Sequence, residues 1–186
     1  SYTFVERPEI EAAKMISEGQ VIGWFQGAME FGPRALGNRS ILANPCLPNS
    51  NEIVNQKIKF RESFRPFCPS ILEEDTDVYF AGKSKHSPYM TITFDAKEYA
   101  LKTIPSVIHT DKTARIQTVN EKDNPLFYKL LVELKRINNH GVVLNTSFNR
   151  SHEPIVCSPR DALSTFYSSG LDALFLGNYL LKKSPL

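Results

Sequence analysis

This chain of 186 residues holds little of what several common chemistries require. Its three cysteines, Cys46, Cys68 and Cys157, are far apart, and none forms a C-x-x-C pair. That spacing argues against a zinc ribbon, a dithiol redox motif or a disulfide framework. Three reduced thiols and a cytoplasmic location are the expectation. The four histidines (His86, His109, His140, His152) show no H-x-x-x-H spacing, so no metal site built by this chain is expected. No apolar run approaches the ~20 residues of a membrane span, and no membrane partner is expected. Neither G-x-x-x-x-G-K-[ST] nor G-x-G-x-x-G occurs, and no Ser/His/Asp relay is evident. The net charge of +2 is too small for a general nucleic-acid binder.

What is present is ordinary in amount and uneven in placement. Hydrophobic residues make up 41% and charged residues 23%, a soluble globular balance able to bury a core. We read residues 1–186 as one domain. The start, Ser1-Tyr2-Thr3-Phe4, has neither an initiator Met nor a signal sequence, and reads as a cut within a longer protein. Between positions 34 and 65 the basic residues are Arg34, Arg39, Lys57, Lys59, Arg61 and Arg65, against only Glu52 and Glu62.

Local patterns predict helices over 8–18, from Asn49 to 57 through an Asn49/Glu52 capping box, over 125–139 behind Asn124-Pro125, and from Ser158 to 169. Strands are expected over 21–25, 40–43, 67–72, 90–94, 114–119, 142–144, 171–176 and 178–181. Residues 77–86 read as a mobile loop and 97–110 as ambiguous. Strands and helices alternate without a strict βαβ rhythm, which favours an α/β or α+β sheet of mixed direction.

Four segments carry candidate chemistry. In Glu30-Phe31-Gly32-Pro33-Arg34-Ala35-Leu36-Gly37-Asn38-Arg39-Ser40, arginine forks and glycine-exposed backbone N–H groups suit a phosphate or carboxylate. The alternative is a turn whose arginines pair with Glu30. Lys59, Arg61 and Arg65, interleaved with Phe60, Phe64 and Phe67, form a cationic face if the segment is extended. The alternative is a solvated strand edge. Arg115 and Gln117 would share a strand face, or simply decorate an outer one. Asn145-Thr146-Ser147-Phe148-Asn149 follows a buried strand, where ligands gather in open sheets, or caps that strand as an Asx/Ser turn.

Taken together and in this order, the segments EFGPRALGNRSI (30–41), KFRESFRPFCPS (59–70), TARIQTV (113–119), LNTSFN (144–149) and EPIV (153–156) resemble the C-terminal domain of the O-carbamoyltransferases, the family of nodulation protein U and the cephalosporin and tobramycin carbamoyltransferases. The resemblance implies a YrdC-like fold: an open, twisted mixed sheet flanked by helices, with a basic concave face. It implies formation of carbamoyladenylate from carbamoyl phosphate and ATP, with Mg²⁺ accompanying ATP. Transfer to an acceptor would fall to a metal-dependent N-terminal domain that is not in this chain.

By position in the family motifs, Arg34, Lys59 and Ser147 would be catalytic. Arg39, Arg61, Arg65, Arg115, Gln117, Asn145 and Asn149 would bind phosphates, nucleotide or carbamoyl group. Two departures stand out. Lys112 and the Arg150-Ser151-His152 run replace segments that carry glycine in the family, which should stiffen both loops. The alternatives are a nucleotide or single-stranded RNA-binding module and a noncatalytic domain that docks the missing one.

Overall fold

The computed structural model describes residues 1–60, 62, 65–82 and 85–183. Apolar residues alternate along the central strands and send successive side chains to opposite faces, so the main sheet carries a core on each side. In chain order the elements are β1 (Tyr2–Phe4), α1 (Pro8–Ser17), β2 (Ile22–Phe25), β3 (Arg39–Ala43), α2 (Ser50–Val54), β4 (Cys68–Leu72), α3 (Thr76–Tyr79), β5 (Phe80–Ala81), β6 (Thr93–Ala96), α4 (Glu98–Thr103), β7 (Thr113–Arg115), β8 (Gln117–Val119), α5 (Pro125–Asn138), β9 (Val142–Ser147), α6 (Pro159–Tyr167), β10 (Ala173–Leu176) and β11 (Tyr179–Lys182).

Eight strands pair in the order β1-β11-β10-β2-β3-β9-β4-β8, and β5-β6-β7 form a small second sheet. The β10–β2 and β4–β8 pairs are parallel, and the other pairs are antiparallel. The sheet is therefore mixed, as the irregular alternation of elements predicts.

On one face Ile22, Trp24, Leu42, Val143 and Phe175 meet α1 and α5, through residues such as Ile16, Phe127, Leu130 and Leu134. On the other, Ile41, Ile71, Leu144 and Leu174 meet Ile58, Phe148 and Phe166. Helix α5 begins where Asn124 accepts a hydrogen bond from the Phe127 N–H, with Pro125 at its first position. Helix α6 begins with a complete capping box between Ser158 and Asp161.

Several expectations change. The Asn49 side chain makes no cap bond. Helix α2 continues instead as a π-helical turn, Asn55–Lys59, and Phe60 then takes a left-handed φ of 46°. Lys59 thus ends a helix rather than lying in an extended segment. Arg61 and Phe64 lie outside the described residues.

Within 77–86, α3 and β5 stand where a loop was expected. The strand read at 90–94 starts only at Thr93, because Met90 adopts a φ of 55°. The strand read at 114–119 divides at Ile116, with β7 in the small sheet and β8 in the large one. Strand β9 runs on through Ser147, because Ser40 of β3 pairs with it. Asn145-Thr146-Ser147 is therefore strand and not turn.

Candidate active site

The arginine-rich turn joins the antiparallel pair β2 and β3, and its shape is fixed by its own buried groups. The Glu30 Oε1 atom accepts hydrogen bonds from the backbone N–H groups of Leu36 (2.7 Å), Asn38 (2.8 Å) and Arg39 (3.3 Å). The anion in this nest is thus the chain's own carboxylate. Arg39 is buried. Its guanidinium donates to the carbonyls of Gln26 (2.8 Å), Asn38 (2.9 Å) and Gly27 (3.1 Å). It also lies 3.5 Å from the centre of the Phe25 ring. Burial pushes its pKa down, and Glu30 opposes that shift. Arg39 braces the turn, and among the described residues no arginine forms an ion pair with Glu30.

A second brace rises from the sheet. Asn145 Nδ2 donates to the Ala35 carbonyl (3.2 Å), and Gln117 Nε2 donates to the Leu36 carbonyl (2.8 Å). Ser70 Oγ donates to Gln117 Oε1 (2.6 Å), and Asn145 Nδ2 lies within bonding distance of both (2.9 and 3.1 Å). Three strands, β4, β8 and β9, so place one polar residue each beneath the turn. Gly37 closes it with a φ of 108°, and a Cβ there would meet Phe127 Cδ1 at 2.3 Å. Gln117 therefore supports the turn from below, while Arg115 faces a different neighbourhood across the break at Ile116.

Lys59 is the second focus. Its ammonium is buried and donates to Ser147 O (2.6 Å), Ser147 Oγ (3.2 Å), Asn149 O (3.0 Å) and Asn149 Oδ1 (2.7 Å). Ser147 Oγ in turn donates to Asn149 Oδ1 (2.7 Å), and Asn149 Nδ2 donates to the Glu153 carbonyl (2.6 Å). Residues 88 and 90 apart in sequence thus meet at one cation. Arg150 pairs with Glu153 and holds that carboxyl below its usual range. His152 takes a φ of 64° and Lys112 one of 62°. Both loops that lack the family's glycine still adopt the left-handed backbone that glycine favours.

A cleft lies over these groups. A cavity of about 130 Å³ is lined by Arg34, Ala35, Cys68, Arg115, Asn145, Thr146 and Ser147 among others. A second, of about 430 Å³, continues outward past Phe31, Tyr89 and Thr91. Pro33, Arg34, Met90 and Arg115 line both. Among the described residues, the exposed Arg34 and half-buried Arg115 are thus the two cations that line the cleft. The Nε and Nη2 atoms of Arg115 rest 3.3 Å from Cys68 Sγ.

Arg65 is not brought in. It is exposed, lines neither cavity and pairs with Glu62 at 3.1 Å. A groove of about 480 Å³ beside β1 and β11 is larger, but Glu6, Glu11 and Lys182 give it mixed charge and no convergent donors. No sequence spacing marks Cys68, Tyr89 or Met90 as lining residues. Nor does Glu30, an ion-pair candidate in sequence, announce its backbone N–H partners.

The model of the carbamoyltransferase C-terminus family matches residues 13–183. The chain belongs to that family. Nodulation protein NolO of Bradyrhizobium diazoefficiens is 43% identical over 94% of this chain. The 3'-hydroxymethylcephem-O-carbamoyltransferase of Amycolatopsis lactamdurans is 33% identical, also over 94%. The chain spans 32% of the length of each of these relatives. Full-length HypF in a phosphate- and nucleotide-bound form superposes with a TM-score of 0.66 at 18% identity, over 97% of this chain and 22% of HypF. Sua5 of P. abyssi complexed with L-threonine gives a TM-score of 0.61 at 15% identity, over 89% of this chain and 45% of Sua5. The family domain therefore has the YrdC-like fold that its motifs imply.

Proposed function

We propose that this domain activates a carbamoyl group, forming carbamoyladenylate from carbamoyl phosphate and ATP as one half of an O-carbamoyltransferase. The observation that carries the reading is the cleft shared by Arg34 and Arg115, with Ser147 on its wall and the Lys59–Asn149 cluster bonded behind. Two polyanionic substrates repel each other, and two arginine forks facing one cleft offset that repulsion. The family's cephem relative is named as an O-carbamoyltransferase, and the HypF structure was described with phosphate and nucleotide bound. Both support the same substrate classes.

The chemistry follows from the donors. A carbamoyl oxygen forms a bond to the α-phosphorus of ATP while the α–β linkage breaks and pyrophosphate leaves. The phosphate of carbamoyl phosphate departs as orthophosphate, with one water taken up. Negative charge grows on the leaving pyrophosphate, and Arg34 and Arg115 are placed to stabilise it. Lys59, desolvated and held by four oxygens, fixes Ser147 on the wall of the small cavity, where the carbamoyl group would sit, with Asn149 bonded behind it. Arg39, Gln117 and Asn145 act by holding the turn that carries Arg34.

Neither cavity is lined by Asp or Glu, and no cluster of metal-ligating side chains forms among the described residues. The lining does not fit a protein-held Mg²⁺, so the ion would arrive on the phosphate oxygens of ATP itself. Transfer to an acceptor hydroxyl would belong to the rest of the longer protein. No described helix is long and apolar enough to cross a membrane.

The test is isotope exchange between ATP and pyrophosphate by the full-length protein. Exchange should require carbamoyl phosphate and fall on the order of 100-fold in Arg34→Ala, the loss typical of removing one charge-stabilising donor. Exchange indifferent to carbamoyl phosphate, or equal in the variant, would refute the reading.

A further inference from the structure

We infer that Phe31 and Tyr89 form the base-binding mouth of the cleft, holding the purine ring of the nucleotide between the turn and the segment before β6. This rests on the nucleotide reading above and adds an orientation to it. Phe31 is fully exposed and Tyr89 is 65% exposed, yet both line the outer, 430 Å³ cavity. Other exposed rings dot this surface, but these two converge on one cavity that Arg34 and Arg115 also line.

Phe31 is not on a loose tip. Its neighbour Glu30 fixes the far side of the turn through three backbone N–H groups. Asn145 and Gln117 fix Ala35 and Leu36 from beneath. The ring is therefore presented by a pinned backbone. On the opposite side Tyr89 precedes Met90, whose left-handed φ of 55° turns the chain sharply. The buried Met90 side chain forms part of the floor common to both cavities.

Size decides the orientation. The inner cavity, about 130 Å³, falls well below the ~300 Å³ at which pockets for drug-sized ligands begin, whereas the outer one exceeds it. A nucleoside fits only outside, and a small carbamoyl-phosphate group fits within. Arg34 and Arg115 line both, so the phosphates lie at the junction. The base then reaches Phe31 and Tyr89, which offer π-faces and no charge. Stacking of this kind tolerates different bases, so purine identity is read weakly at the mouth.

Calorimetric titration of the full-length protein with ATP, and separately with inorganic tripolyphosphate, tests the inference. Phe31→Ala and Tyr89→Ala should each weaken ATP by about tenfold, the size of one aromatic stacking contact. Tripolyphosphate has no base, so its affinity should stay within twofold. Phe31→Tyr should restore ATP binding, and Tyr167→Ala, at an exposed ring on α6, should leave both ligands unaffected. Unchanged ATP affinity in both cleft variants, or an equal loss of tripolyphosphate, overturns the inference and leaves those rings as a surface for another part of the protein. The two readings fail separately. Lost exchange with intact, Phe31-dependent ATP binding removes the carbamoyladenylate reading, and full exchange with neutral Phe31 and Tyr89 variants removes this one.

Discussion

Removing the Glu30 carboxylate should unfasten the turn that carries Arg34. Glu30→Ala deletes one oxygen that accepts from Leu36, Asn38 and Arg39. Leu36 and Asn38 are half-buried, so water can replace part of what they lose, and about 1 kcal/mol for each bond is a fair charge. The Arg39 bond is longer, at 3.3 Å, and adds about 0.5 kcal/mol. Against this, Glu30 Oε2 is buried without a partner among the described residues, and deleting it relieves a desolvation cost of about 1 kcal/mol. The net loss is about 1.5 kcal/mol, or roughly 3–6 °C in melting temperature for a chain of this size.

Glu30→Gln keeps an acceptor oxygen and should lose less than half as much. Arg34 should lose its fixed position in Glu30→Ala, so ATP–pyrophosphate exchange should fall by more than the melting shift explains, in protein still folded at the assay temperature. Scanning calorimetry and exchange on the same samples provide the measurement. A melting temperature within about 1 °C of the parent, with exchange intact, would refute the claim that Glu30 shapes the site.

Gly37→Ala should cost about 2–4 kcal/mol, since it combines an unfavourable φ with a Cβ pressed on Phe127, and thermal unfolding would show it. His152→Gly and Lys112→Gly should each stabilise by up to about 1 kcal/mol, because both residues hold left-handed backbone; a loss of stability in denaturant titrations would contradict this. Burial pushes the Cys46 thiol up to about 11, so at pH 8 iodoacetamide should modify the exposed Cys157 well before Cys46, as read by peptide mass spectrometry. Burial lowers the pKa of His140, whose Nδ1 atom lies 2.9 Å from the Tyr79 hydroxyl. The unfolded chain then binds more protons near and below the ordinary histidine pKa of ~6.5, so stability should fall as pH drops through that range, and His140→Asn should flatten the slope in melts.

The sheet and its helices were largely legible, because buried strands and capped helices announce themselves locally. Asn124-Pro125 and Ser158-Pro159-Arg160-Asp161 start their helices where the caps say. The meeting of Lys59 with Ser147 and Asn149 was legible only through the order of motifs, since no local pattern joins residues 88 positions apart. Alternation misled at Lys59-Phe60, where a π-turn and a left-handed exit look in sequence like a strand. Arg39 and Gln117 were read as ligand contacts because residue type alone does not tell a guanidinium facing a phosphate from one filled by carbonyls. Glu30 was undervalued for the same reason, as its partners are backbone N–H groups that every sequence possesses. The loops at Lys112 and His152 hold left-handed backbone between flanking hydrogen bonds of His109 and Glu153, which residue type alone does not reveal.

The most direct measurement is of the product itself. Full-length protein incubated with ¹³C-carbamoyl phosphate and ATP, then rapidly quenched, should yield an adenylate carrying the ¹³C-carbamoyl group by mass spectrometry, together with pyrophosphate, and Arg34→Ala should yield almost none. AMP or ADP without any ¹³C-labelled adenylate, or equal labelled product from the variant, would contradict the account.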